Sequence, residues 1–112
     1  MIEIEKLVAL CDGDDSMLNM VVALYLQEYG QSDRIILHRY HTEDVEGLFQ
    51  LAHELKGMFS NLCAQDAVSL AKIVESSAQS GVIPDEVAIN KLCSEIQKIN
   101  QQIQALLQLS PS

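Results

Sequence analysis

The last quarter of the sequence contains a long apolar seam at helical spacing. Its apolar residues recur every three or four positions, which places them on one face of a single helix. They are Ile89, Leu92, Cys93, Ile96, Ile99, Ile103, Leu106 and Leu107. A helix with such a face is stable only where other apolar faces cover it, so this seam predicts a protein built from helices packed side by side.

The rest of the chain repeats this pattern in four further segments. No segment shows the strict alternation of a β-strand, and only two prolines and five glycines interrupt the chain. Gly30 is a candidate position for a bend, and Thr42 is a candidate N-cap. The predicted helices span about residues 3–11, 15–41, 43–62, 66–81 and 84–109. We therefore predict an all-α fold: one domain over residues 1–112, an antiparallel up-down four-helix bundle at about 15–109, and a short additional N-terminal helix at about 3–11.

Composition and charge restrict the classes of partner. Sixteen acidic against seven basic residues give a net charge of −9, which repels nucleic acid and anionic lipid. No apolar run approaches the roughly 18 residues of a membrane span, and the first residues, MIEIEKLVAL, carry acids where a signal peptide carries bases. The expected location is the cytoplasm, without membrane insertion. The exposed helix faces show no second apolar seam, so a monomer is expected.

Three cysteines, Cys11, Cys63 and Cys93, are widely spaced and form no CxxC pair. This spacing favours neither a disulfide framework nor a zinc site. We interpret the cysteines as small buried hydrophobic residues.

The segment at 43–62 divides into two arcs when residues are placed about 100° apart. The apolar arc contains Val45, Leu48, Phe49, Ala52, Leu55, Phe59 and Leu62. The opposite arc contains Glu46, Gln50, His53, Gly57, Ser60 and Asn61, with Lys56 at its edge. His53 is therefore predicted to face solvent, with Lys56 and Gly57 in the next turn of the same surface.

These three residue types together suit phosphoryl chemistry. A neutral imidazole has a nitrogen lone pair that can attack phosphorus, and Lys56 supplies a mobile positive charge for phosphoryl oxygens. Gly57 costs the helix roughly 1 kcal/mol relative to alanine, and it removes the side chain beside the imidazole. Another protein's active site would gain access to His53 there. The simpler interpretation, a surface histidine beside a solvated lysine, stays open on residue types alone.

AHELKG, at residues 52–57, resembles the AHxLKG signature of histidine-containing phosphotransfer (HPt) domains. Residues 61–64, NLCA, resemble the family's downstream NLGA run, and VE at 74–75 falls where family members commonly have Leu-Glu. The sequence departs from the family pattern at residues 58–59, Met and Phe instead of small residues, and at Cys63, where a turn glycine is usual. These departures concern core packing and the turn rather than His53.

The resemblance implies that His53 accepts a phosphoryl group from the phospho-aspartate of one receiver domain and passes it to the aspartate of another. Implied partners are response-regulator receiver domains, a hybrid sensor histidine kinase, or both, docked around His53 with Gln50 and Ser60 as polar neighbours. The receiver would contribute the acidic pocket and Mg²⁺, so no cofactor of its own is expected. The chain has no Gly-rich phosphate loop or GxxxxGK[ST] motif, and we expect no ATP-dependent kinase activity.

Two other classes of function remain open. The first is a catalytically silent four-helix docking module that binds a receiver or kinase partner without chemistry. The second is metal binding through His38 and His41, whose spacing places both imidazoles on one helix face. The sequence nominates no third ligand, so two solvated histidines near a helix C-terminus are the favoured interpretation, and we predict no metal site.

Overall fold

The computed structural model describes residues 1–109, and most of them are helical. No β-strand occurs within this part of the chain. The helices are α1 (Ile4–Leu10), α2 (Asp15–Tyr29), α3 (Ser32–His41), α4 (Val45–Asn61), α5 (Gln65–Gln79) and α6 (Glu86–Leu109).

The helices form the predicted antiparallel bundle. Helices α2 and α3 follow one another and together occupy one position of the bundle. Helices α4 and α5 run in opposite directions to each other, and α6 packs against α2, α3 and α5. The short α1 contacts α2 as the additional N-terminal helix. The molecule measures 44 × 20 × 19 Å because the long helices lie along a common axis. The all-α up-down fold class is confirmed.

The bundle core is formed by the apolar arcs that the sequence indicated. The seam of α6 is buried at Ile89, Leu92, Ile96, Ile99 and Ile103. All three cysteines are free and buried, as predicted. Phe59 of α4 is fully buried, and its ring centroid lies 6.1 Å from that of Tyr25 on α2. Phe59 therefore fills the core beside Tyr25.

The segment predicted as one helix at 15–41 is two helices. The break lies at Gly30 and Gln31, where the Gly30 carbonyl accepts a hydrogen bond from the Asn100 side-chain amide of α6 at 3.0 Å. A Cβ at position 30 would overlap the carbonyl oxygen of Leu26, so the tight geometry requires glycine. The expected bend at Gly30 is thus a complete interruption of the helix.

Two aspartates cap helices slightly later in the chain than predicted. The carboxylate of Asp44 accepts the N–H of Gly47 at 2.9 Å, and α4 begins at Val45. The predicted cap, Thr42, is wrong, because its hydroxyl donates to carbonyl groups at the end of α3. Asp85 accepts the N–H of Val87 at 2.9 Å, and α6 begins at Glu86 rather than at Pro84. A side-chain oxygen at the N-cap satisfies one of the unpaired N–H groups of a helix's first turn.

The turn after α4 keeps a glycine-type conformation without glycine. Cys63 has a φ of 57°, in the left-handed region, and its N–H donates to the Ser60 carbonyl at 3.1 Å. The N–H of Ala64 donates to the Phe59 carbonyl at 2.9 Å, which completes a Schellman-type helix end. The Cys63 carbonyl also accepts the N–H of Glu3 at 3.0 Å. The departure from glycine at Cys63 therefore leaves the connection between α4 and α5 intact.

The length and apolarity of each helix can be compared with what a membrane-spanning helix requires. Within residues 1–109, no helix is both long enough and apolar enough to cross a membrane.

Candidate functional site

The outer face of α4 carries the histidine singled out from the sequence. Leu48, Ala52, Leu55 and Phe59 of this helix are buried in the core. His53 lies on the opposite side, and its side chain is 64% exposed. The helical spacing therefore predicted the orientation of His53 correctly.

A carboxylate from the neighbouring helix holds the imidazole. Glu75 of α5 places Oε2 2.5 Å from Nδ1 of His53. The α5 face around Glu75 consists of small residues, with Ala71 and Ala78 one turn away on either side, and both are buried. Small side chains let two helices approach closely, so the buried Glu75 reaches the outer face of α4.

The same carboxylate also binds the lysine of the sequence motif. Lys56 Nζ donates to Oε1 of Glu75 at 2.6 Å, while Oε2 faces the histidine. Glu75 keeps only 10% of its side-chain surface, and Lys56 keeps 33%. His53 and Lys56, one turn apart on α4, are thus joined through one buried carboxylate.

These contacts determine the charge of Glu75. The hydrogen bond from Lys56 lowers the pKa of Glu75 below its usual value of 4.5, and the hydrogen bond from His53 lowers it further. Burial acts in the opposite direction but does not cancel them. Glu75 is therefore ionised at neutral pH and accepts hydrogen bonds without donating any.

An ionised Glu75 assigns the roles of the two ring nitrogens of His53. Because the carboxylate can only accept, the proton in this hydrogen bond belongs to Nδ1. In a neutral imidazole with a proton on Nδ1, the lone pair is on Nε2. The arrangement therefore offers Nε2 as the nucleophilic or basic atom of an exposed, oriented ring.

Phe49 supports the imidazole from the preceding turn of α4. The ring centroids of Phe49 and His53 are 6.0 Å apart, and the ring planes are inclined by 18°. Offset stacking of this kind is a favourable arrangement for aromatic pairs. The imidazole is therefore fixed at one nitrogen by Glu75 and along one face by Phe49.

The remaining predicted site residues lie on the same face without touching the imidazole network. Gly57 is exposed, and a Cβ built on it would meet no atom within 4 Å. Packing inside the protein therefore gives no reason for a glycine there. Gln50 and Ser60 are exposed on α4, and neither forms a hydrogen bond with His53, Lys56 or Glu75.

The two other histidines do not assemble a metal site in the described structure. His38 and His41 are exposed near the end of α3. Among residues 1–109, no three histidine, cysteine or acidic side chains form a group that could hold a metal ion.

Sequence reasoning noted Glu75 only as part of the family pattern and did not include it in the site. The available signal was its position: Glu75 falls on the small apolar arc of α5 that also contains Ala67, Ala71, Val74 and Ala78. A buried carboxylate requires a partner, and its own helix offers none on that arc. The acid on a buried face therefore pointed to a partner on another helix.

Of three comparisons with known proteins, one gave a match to this chain. Neither curated proteins nor solved structures gave a match to the chain. The family model described as "Hpt domain" matches residues 17–109, which include every helix from α3 onward and most of α2. Because this match covers most of the 112 residues, the chain belongs to the HPt domain family, whose general activity is histidine phosphotransfer in phosphorelays.

Proposed function

We propose that this protein is a phosphoryl carrier that holds the phosphoryl group on Nε2 of His53 between two receiver-domain aspartates. The observation that carries the proposal is the hydrogen-bonded arrangement of His53, Glu75 and Lys56 on an exposed helix face. A surface histidine with no chemical role has no requirement for a buried carboxylate that orients its ring. The expected partners are receiver domains, either free-standing or within a hybrid sensor histidine kinase.

The transfer is a displacement at phosphorus. The Nε2 lone pair attacks the phosphorus of an aspartyl phosphate on the first receiver. The N–P bond forms, the bond between phosphorus and the aspartyl oxygen breaks, and the aspartate leaves as a carboxylate with the electron pair. The proton on Nδ1 stays in its hydrogen bond with Glu75. Attack by the aspartate of the second receiver reverses the sequence and restores the neutral imidazole.

Glu75 and Lys56 have complementary roles in this step. The phosphorylated ring keeps its Nδ1 proton and gains positive charge, which the ionised Glu75 stabilises at 2.5 Å. Lys56 uses one N–H for Glu75 and has two further donors for phosphoryl oxygens. The receiver would contribute the Mg²⁺ and its acidic pocket, and this protein would contribute the nucleophile.

The first experiment is phosphoryl transfer from a panel of receiver domains, each phosphorylated with acetyl phosphate, to the wild-type protein. We expect rapid transfer from at least one receiver, with a label that is labile in acid and stable in base, as a phosphoramidate bond is. Phosphorus NMR should locate the label on Nε2. A folded protein that accepts from none of the receivers would favour the silent docking module, and an acid-stable label would indicate a hydroxyl acceptor.

Exchanging Gly57 for alanine should affect stability and transfer in opposite directions. Gly57→Ala should raise the free energy of unfolding by about 1 kcal/mol, because alanine is the better helix former and its Cβ meets no other atom. Transfer from receivers should slow by about tenfold, because the new methyl group stands where a receiver must approach. Chemical denaturation and the transfer assay measure the two effects.

Ser94→Ala is the control for this glycine, since it places alanine at an exposed helical position on α6, away from the His53 face of α4. Its transfer rate should stay within twofold of wild type. Phosphorylation of His53 by phosphoramidate, a small donor, should be unchanged in both variants. Equal transfer from receivers to Gly57→Ala and wild type would show that the glycine is not needed for access.

A further inference from the structure

A groove lies on the surface of the protein along the first turns of α4, before His53 in the chain. It has a volume of about 360 Å³ and lies between the first turns of α4 and the end of α5. Val45 and Phe49 form one wall, Ala78 and Gly81 lie opposite, and Glu46 and Gln79 complete the lining. The depression exists because Ala78 and Gly81 have little or no side chain to fill the space facing two larger residues.

The groove is continuous with the candidate phosphoryl site. Phe49 forms part of its wall, and the same ring stacks on His53 with a centroid distance of 6.0 Å. Val45 and Phe49 pack against the core with one side and are only partly buried. Apolar surface beside a reactive group favours an apolar occupant, because its burial removes that surface from water.

An interface of ordinary size centred on His53 would extend far enough to cover this groove. A transient complex buries about 600 Å² on each partner, which corresponds to a patch with a radius of roughly 14 Å. At about 1.5 Å of helix rise per residue, Phe49 lies about 6 Å and Val45 about 12 Å from His53 along α4. A receiver that is centred on His53 therefore covers both residues.

We propose that the groove of Val45, Phe49, Ala78 and Gly81 receives an apolar side chain of the partner receiver domain and determines which receivers dock. This inference rests on the proposed function of His53 and adds the position of its specificity contact. An apolar side chain seated there would contact Phe49, the residue whose ring also stacks on the imidazole.

The test compares two valines that occupy first turns of helices. Val45→Asp places a carboxylate in the groove at the first position of α4, where an acid is favourable to the helix. Val87→Asp makes the same change in the first turn of α6, where Val87 is 57% exposed and does not line the groove. Both variants receive phosphoryl groups from the same acetyl-phosphate-charged receivers.

For Val45→Asp we expect the KM for the receiver to rise about tenfold or more, with kcat within twofold of wild type, because the carboxylate would be desolvated against an apolar side chain. Val87→Asp should match wild type in both constants. Phosphoramidate should label His53 equally in all three proteins, which reports an intact site without any partner.

Three other results would overturn the inference, each in a distinct way. Equal KM values for Val45→Asp and Val87→Asp, with transfer intact, would remove the groove from the interface and leave the proposed function standing. If Met20→Asp is assayed alongside and it alone raises the KM, docking lies on the large exposed apolar residues of α2, which are Met17, Met20 and Leu24. Labelling of wild type by phosphoramidate but by no receiver would contradict the proposed function itself.

Discussion

Replacing His53 with glutamine should abolish phosphoryl transfer to the protein, whereas the same replacement at His38 or His41 should leave the rate within twofold of wild type. Glutamine has no nitrogen lone pair that can attack phosphorus. Its amide can still donate to the Glu75 carboxylate, so the buried acid keeps a partner. Because the His53 side chain is 64% exposed, the free energy of unfolding should change by less than about 0.5 kcal/mol.

The measurement is label incorporation from charged receivers and from phosphoramidate, together with receiver affinity by calorimetry. His53→Gln should bind the receiver with wild-type affinity while accepting no phosphoryl group, which separates chemistry from docking. His38 and His41 are exposed like His53, so they control for general surface labelling. Residual transfer to His53→Gln at a tenth of the wild-type rate or more would identify a different acceptor and contradict the proposal.

The fold was predictable because each helix carries its own apolar arc. The spacing of the seam from Ile89 to Leu107 and of the α4 arc required no knowledge of other helices. The helix interruption at Gly30 was less accessible, because it depends on a hydrogen bond from Asn100, 70 residues away. The observed start of α4 also lies later than the predicted one. Thr42 and Asp44 are both good cap residues, and the conformation of the surrounding turn decides between them.

The site residues on α4 were predictable from the sequence, but the contact that α5 makes with them was not. His53, Lys56 and Gly57 lie within five residues of α4, so helical geometry alone places them together. Glu75 lies 22 residues from His53, on a helix whose register against α4 depends on the turn at Cys63 and on close packing of small residues. Val45 of α4 and Ala78 of α5 line one groove for the same reason. A periodic pattern indicates which face of a helix is buried, but not which residue it meets.

Glu75→Gln should slow transfer to His53 by about tenfold or more and reduce stability in a pH-dependent manner. Glutamine keeps a hydrogen-bond acceptor for Nδ1 but removes the negative charge that stabilises the phosphorylated ring. It also breaks the ion pair with Lys56, whose side chain is two-thirds buried. At pH 7 we expect a loss of about 1 to 2 kcal/mol in the free energy of unfolding.

The pH dependence of this stability difference follows from the lowered pKa of Glu75. The folded protein holds this pKa below 4.5, and the unfolded chain restores the ordinary value. The contribution of Glu75 is therefore complete above about pH 4.5 and is lost as the pH falls through the folded-state pKa. Urea denaturation of wild type and Glu75→Gln should show a gap in unfolding free energy at pH 7 that narrows as the pH falls below 4.5.

Glu54→Gln is the matched control, because it removes the same charge from an exposed position next to His53 on α4. Its transfer rate and unfolding free energy should remain within twofold and within about 0.5 kcal/mol of wild type. A Glu75→Gln protein that loses stability but transfers as fast as Glu54→Gln would show that Glu75 only joins α4 to α5. A slower transfer, with unchanged receiver affinity, would instead show that the buried charge acts through the imidazole, because the docking surface and the nucleophile both remain in place.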